Sequence, residues 1–123
     1  YVCAKSETRV LFIAYEHVIK RCENACKFHS QLVSNLLQMI ALRASQQANR
    51  IYVLSRNSIR KKIMTYLNSI AAEKQTKTVI LPMSYTTLAE YLSVDRSAMM
   101  RELKNLADEG IIERDGKKLR ILD

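Results

Sequence analysis

Apolar residues recur along this chain with two different periods, and the switches between them mark its elements. Between about Ala25 and Leu54, the positions Val33, Leu37, Ile40, Ala44, Gln47, Ile51 and Leu54 follow at alternating intervals of four and three residues. That spacing predicts a long helix with a heptad seam about three heptads long, interrupted by one polar residue, Gln47. Leu32, Leu36 and Met39 widen the stripe in the first half. A stripe that starts wide and then narrows suits a helix that packs on its own domain and also against a twin helix. Arg56-Asn57-Ser58 breaks the period, and Ile59 to Lys74 resumes it with Ile63, Tyr66, Leu67 and Ile70 inward and Arg60-Lys61-Lys62 outward. Tyr85, Leu88, Ala89 and Leu92 form the apolar face of a short helix, and Met99, Leu103 and Leu106 that of another. Ser93-Val94 between them is too short for a loop. Asp95 is placed to cap the second helix, and Gly110 suits the left-handed residue just past its end.

Period-two runs are short. Val2-Cys3-Ala4 and Val10 to Ile13 read as two strands, and Thr78 to Leu81 as a third. Ile111 to Arg114 and Lys118 to Leu122 read as a hairpin turning at Asp115-Gly116. Tyr15 to Arg21 fits a short helix with Val18 and Ile19 inward. The expected fold class is mainly α with small β elements: a long dimerisation helix followed by a winged helix-turn-helix. Three segments are expected, with 1–21 the end of a β domain, 22–55 the dimerisation helix and 56–123 the winged helix. The chain does not begin with Met and opens in a strand-like run, so a piece of a longer protein is expected.

The helix-turn-helix carries the candidate chemistry. Such a pair offers its second helix to the DNA major groove. The outer face of that helix would show Arg96, Ser97, Met100 and Arg101, with Lys104 one turn on and Thr86 at the start of the first helix. Lys117 and Lys118 flank the expected wing tip, where cations reach phosphates without reading bases. Lys and Arg number 20 against 12 Asp and Glu, a net charge of +8, which suits an anionic partner such as double-stranded DNA. The plainer reading of the same residues is a helical hairpin with a solvated charged face, and of the seam a single buried helix in a monomer.

Other chemistries find less support. With only Gly110 and Gly116, a glycine-rich phosphate loop cannot be built, and neither histidine has a nucleophile and orienting acid near it in sequence, so no enzyme is expected. No apolar run reaches the roughly 18 residues of a membrane span. Three cysteines without framework spacing suit a reducing cytoplasm. Cys22, Cys26 and His29 could supply metal or redox ligands at the start of the long helix, but a fourth ligand is not evident. The plainer alternative is that the cysteines pack as small apolar residues.

From Cys22 onward the chain resembles the C-terminal half of a Crp/Fnr-type bacterial transcription regulator. The likeness rests on the seam helix, on Ile59 to Leu67, and on LPMSYTTLAEYLSVDRSAMMRELKNLADEGII with its hairpin. Residues 1–21 resemble the last strands and short helix of that family's cyclic-nucleotide-binding-type β-roll. The resemblance implies a homodimer on a palindromic operator, with base contacts from the start of the recognition helix. The family's cyclic-AMP activator carries Arg-Glu-Thr-Val-Gly-Arg where this chain has Arg96-Ser97-Ala98-Met99-Met100-Arg101. Both arginines match. Ser97 replaces a carboxylate able to accept from cytosine, which implies a different operator. Gln47-Ala48 stand where cyclic-AMP-binding members place Thr-Ser, which speaks against cyclic AMP and leaves the effector unnamed. If the regulator activates, RNA polymerase joins its partners. A winged helix used for protein interaction, or a metal or thiol redox sensor acting through the same domain, remain the alternatives.

Overall fold

The computed structural model describes residues 2–4, 6–19 and 27–122. The chain divides into two units, Tyr1–Ala44 and Ser45–Asp123. In the first unit lie a short helix, α1 (Tyr15–Ile19), and the opening turns of the long helix, α2 (Lys27–Leu54). The expected strands at Val2-Cys3-Ala4 and Val10 to Ile13 are absent among the described residues, and Val10, Leu11 and Phe12 lie exposed. The physical reason is pairing: a run of β-prone residues becomes a strand only beside another strand, and none is offered to it here.

The second unit holds the rest of α2, then α3 (Ile59–Lys74), β1 (Thr78–Ile80), α4 (Tyr85–Leu92), α5 (Arg96–Asp108), β2 (Ile112–Asp115) and β3 (Lys118–Ile121). The strands form one antiparallel sheet in the order β1-β3-β2. Thr78 lies opposite Arg120, and Glu113 opposite Arg120 on the other side. The core gathers Ile63, Leu67, Leu88, Leu92, Met99, Leu103, Leu106, Ile112 and Leu119, each nearly or wholly removed from solvent. No polar side chain is buried among the described residues.

Local chemistry sets each helix end. Ser58, Ser84 and Asp95 are extended N-caps whose side chains accept from the backbone N–H of Lys61, Thr87 and Ala98. Three helices close with the same left-handed step: Gln75, Ser93 and Gly110 have φ of 51°, 50° and 72°. In each, the next residue's N–H returns to the carbonyl five positions back, Thr76 to Ala71, Val94 to Ala89 and Ile111 to Leu106. Only Gly110 adopts this conformation without a steric cost.

Two sequence expectations need correcting. The hairpin turn is centred on Gly116-Lys117 rather than Asp115-Gly116, because Asp115 already pairs with Lys118 in the ladder. Positive φ at Gly116 and not at Lys117 is the pattern of a type II′ turn, which suits the twist of the flanking strands. Of the three basic residues expected outward on α3, only Lys61 is fully exposed. Lys62 donates from Nζ to the Leu92 carbonyl at 3.1 Å, at the end of α4. Arg60 reaches α5, where its Nε meets Glu102 at 2.5 Å and its two terminal nitrogens meet both oxygens of Glu109 at 2.7 and 2.5 Å. A two-pronged guanidinium–carboxylate contact fixes direction as well as distance.

The last turns of α2 are bound into this unit. Val53 is fully buried, Asn49 donates to Ser69 Oγ at 3.2 Å, and the Arg50 guanidinium lies 5.1 Å from the centre of the Tyr91 ring. Tyr91 in turn packs tilted against Tyr66, whose phenol is pushed up to about 12 by burial, with Tyr91 adding to it.

Two outcomes follow from these contacts. Hydrogen bonds from Arg60 hold the Glu109 carboxyl below its ordinary value of 4.5, against a smaller opposing effect of burial. A carboxyl lowered on folding contributes stability that is fully present above its unfolded-state value and is lost as the pH falls through the lowered one. Glu109→Gln should therefore melt slightly below the parent at neutral pH, by a few degrees at most for an exposed pair, and the gap should close below about pH 4. Thermal melts of both proteins across pH 3 to 7 check this. Separately, Asp95→Ala removes the cap of α5 and should cost about 1 kcal/mol in urea unfolding, with an unchanged slope.

Candidate nucleic-acid interface

The buried stripe of α5 decides which of its residues can meet a ligand. Met99, Leu103 and Leu106 are fully buried. At about 100° per residue, Ser97, Arg101 and Lys104 then fall on the far side of the helix, and all three are exposed. Arg96 is also exposed, in the first turn directly after the Asp95 cap. Arg96, Arg101 and Lys104 make no ion pair among the described residues. Met100 departs from expectation. It is half-buried and packs against the core, because one step from Met99 leaves it about 100° round, on the border of the stripe. It offers a partner an edge rather than a free side chain.

Glu102 and Glu109 are seven residues apart and share the opposite flank of α5, which is why one arginine can serve both. Neither acid pairs with Arg101. Glu102 and Glu109 thus face α3, while the free cations point outward together with the exposed Asp108. Arg60 was expected on a solvated face. The signal that could have found it is the shared flank of Glu102 and Glu109.

Around α5, Thr86 is exposed in the first turn of α4, after the Ser84 cap. Lys117 is exposed at the second turn position of the hairpin, and Lys118 is exposed as the first residue of β3, opposite Asp115. Arg120 lies 3.8 Å from Glu113 across the same pair of strands. Tyr85, read from the sequence as part of the apolar face of α4, also does something that reading missed. Its hydroxyl donates to the Gly116 carbonyl at 2.5 Å. Burial pushes this phenol up from its ordinary value, against the opposing effect of Arg114.

The seam residues of α2 divide by position. Val33 and Leu54 are half-buried, Ala44 and Gln47 are exposed, and Leu37, Ile40 and Ile51 keep 62%, 63% and 68% of their surface in solvent. Of the candidate metal ligands, Cys22 and Cys26 lie outside the described residues, and His29 is half-buried. Among the described residues no group of three or more His, Cys, Asp or Glu could hold a metal ion. Among them, too, no helix is long and apolar enough to cross a membrane.

Residues 61–123 match the Crp-like helix-turn-helix domain. Over 70 residues, 57% of this chain, the sequence is 40% identical to "Probable transcriptional regulator flp" of Lacticaseibacillus casei, of whose length the match spans 32%. The fold is similar to that of FixK2 from Bradyrhizobium japonicum, with a TM-score of 0.65 and 21% identity over 82% of this chain and 52% of that one. A crp/fnr-family protein from Eubacterium rectale aligns with a TM-score of 0.51 and 22% identity over 75% of this chain and 42% of its own. The chain thus spans about a third of its curated relative and about half of these solved structures. With a winged helix-turn-helix built as described and that domain matched over more than half its length, the chain belongs to the Crp/Fnr family of transcription regulators, which are DNA-binding proteins and not enzymes.

Proposed function

We propose that this chain is the reading end of a cytoplasmic regulator that binds a palindromic operator as a homodimer. Its recognition helix is α5, with Arg96, Ser97, Arg101 and Lys104 toward the groove, Met100 at its edge and Thr86, Lys117 and Lys118 on phosphates. The observation that carries this is the sorting of charge on α5: the cations opposite the buried stripe are free, while Glu102 and Glu109 are turned to Arg60. A guanidinium matches the two acceptors of guanine, so each half-site contains at least one guanine. A two-fold dimer sets the half-site centres about 34–36 Å apart, one turn of DNA. Segments 1–21, 22–55 and 56–123 then serve as the end of a sensory β-roll, the dimerisation helix and the DNA reader.

The dimer is supported by the faces of α2. Ile51 and Val53 are two residues apart, so they point to nearly opposite sides of the helix. Val53 is buried in the winged-helix core, while Ile51 remains exposed with Ala44 and Gln47 on its own side. A second copy of α2 would cover that side.

Two experiments test this function. An operator is first selected from a random duplex library. Arg101→Ala should then cost roughly 1–3 kcal/mol on that operator and little on a scrambled duplex. Equal losses on both would make Arg101 a phosphate contact. In sedimentation, Ile51→Lys should shift the protein from dimer toward monomer, since two like charges would meet across the seam. A dimer that survives this change would mean the seam lies elsewhere.

A further inference from the structure

The two parts of the proposed DNA surface, the helix pair and the wing, come from different stretches of chain. Tyr85 joins them. Its ring packs against the hydrophobic core from the first turn of α4, and its hydroxyl reaches out to the carbonyl of Gly116 at the tip of the hairpin. A tyrosine suits this task because one end is apolar and the other is a hydrogen-bond donor. The rest of the hairpin is held independently: Lys118 lies in the central strand opposite both Asp115 and Ile80, and the Lys117 carbonyl, in the turn itself, accepts from the Leu81 N–H at 3.0 Å. The tip carbonyl of Gly116 has Tyr85 as its partner. A Cβ added to Gly116, at φ +54°, would meet nothing within 4 Å.

We propose that Tyr85 is a positioning residue for DNA binding: by latching the Gly116 carbonyl to the start of α4, it holds the wing lysines, Lys117 and Lys118, in register with the recognition helix. Without the latch the strands and the Leu81–Lys117 bond remain, but the Gly116–Lys117 peptide is free to turn over, and the wing tip must be ordered each time DNA is bound. This inference rests on the wing's role in binding phosphate, proposed above.

The test uses four forms of the full-length protein: parent, Tyr85→Phe, the double variant Lys117→Ala with Lys118→Ala, and the triple variant. Each is titrated with a random-sequence duplex at several salt concentrations, and each is melted. The lysine pair should make the salt slope shallower by up to about two units. Tyr85→Phe, which removes one hydroxyl and no charge, should weaken binding roughly threefold to tenfold with a melting temperature near the parent's. On the lysine-free background Tyr85→Phe should cost nothing further, because there is nothing left to position. Amide exchange should quicken at Gly116 and Lys117 and stay unchanged in α5. If the lysine pair binds as the parent does, the wing's role fails and the latch with it. If the lysine pair weakens binding and Tyr85→Phe does not, the latch alone is overturned. Equal losses from Tyr85→Phe on both backgrounds would show a hydroxyl that acts independently of the lysines, and a large drop in melting temperature would show one that holds up the whole fold. Either result overturns the proposal.

Discussion

The rotation of α5 about its own axis is the constraint on which the outer surface of the second unit depends. Met99, Leu103 and Leu106 have no surface left in water, and turning the helix by even one residue would exchange them for Met100, Lys104 and Ala107. Burying an unpaired Lys104 ammonium would cost several kcal/mol, and exposing two leucines and a methionine would forgo roughly 1.5–3 kcal/mol each. Packing therefore fixes what faces outward, and the directions of Arg96, Ser97 and Arg101 follow from the core rather than from any contact of their own. The caps act on the same coordinate. Asp95 sets where the helix starts and the Gly110 step sets where it ends, so both its rotation and its extent are determined inside the chain.

Electrostatics works within that frame. A helix with acids at Glu102, Asp108 and Glu109 is poorly suited to approach a polyanion. Two of the three are turned toward α3 and share one guanidinium, whose single charge offsets half of theirs. The same arginine ties α3 to the middle of α5 and to its C-terminal cap, so the contact that lessens repulsion also braces the helix that would bear the load of binding. Exposed ion pairs of this kind add little to stability. Their effect here is to weaken the repulsion that an approaching phosphate meets.

Much of this was legible in the residues. The long helix, the α3 stripe, the two short helices, the Asp95 cap and the left-handed Gly110 all follow from spacing and side-chain chemistry within a few positions. The winged-helix order and the family resemblance followed from them. The expectations that missed depended on partners distant in sequence. Val10 to Ile13 has strand composition but no neighbouring strand among the described residues. Arg60 read as a solvated cation because its acids lie more than forty positions away. Tyr85 read as core because ring and hydroxyl serve different neighbours. Met100 was a matter of angle alone: the border of a buried stripe is where counting residues resolves burial least well. Gln75 and Ser93 end their helices in a conformation that composition associates with glycine, and only the returning backbone bonds from Thr76 and Val94 reveal why they can.

The end of α2 has a practical consequence. The helix breaks at Arg56 to Ser58, and by sequence that break is the natural place to cut a minimal DNA reader. Yet Val53 belongs to the reader's own core, Asn49 is bonded to α3, and Arg50 covers the face of Tyr91. A fragment starting at the break would carry an open socket where Val53 sits and a bare aromatic face beside it, an invitation to aggregate. The smallest fragment that keeps its interior closed starts near Ser45, inside the helix, and so keeps Gln47 and Ile51 as part of its surface.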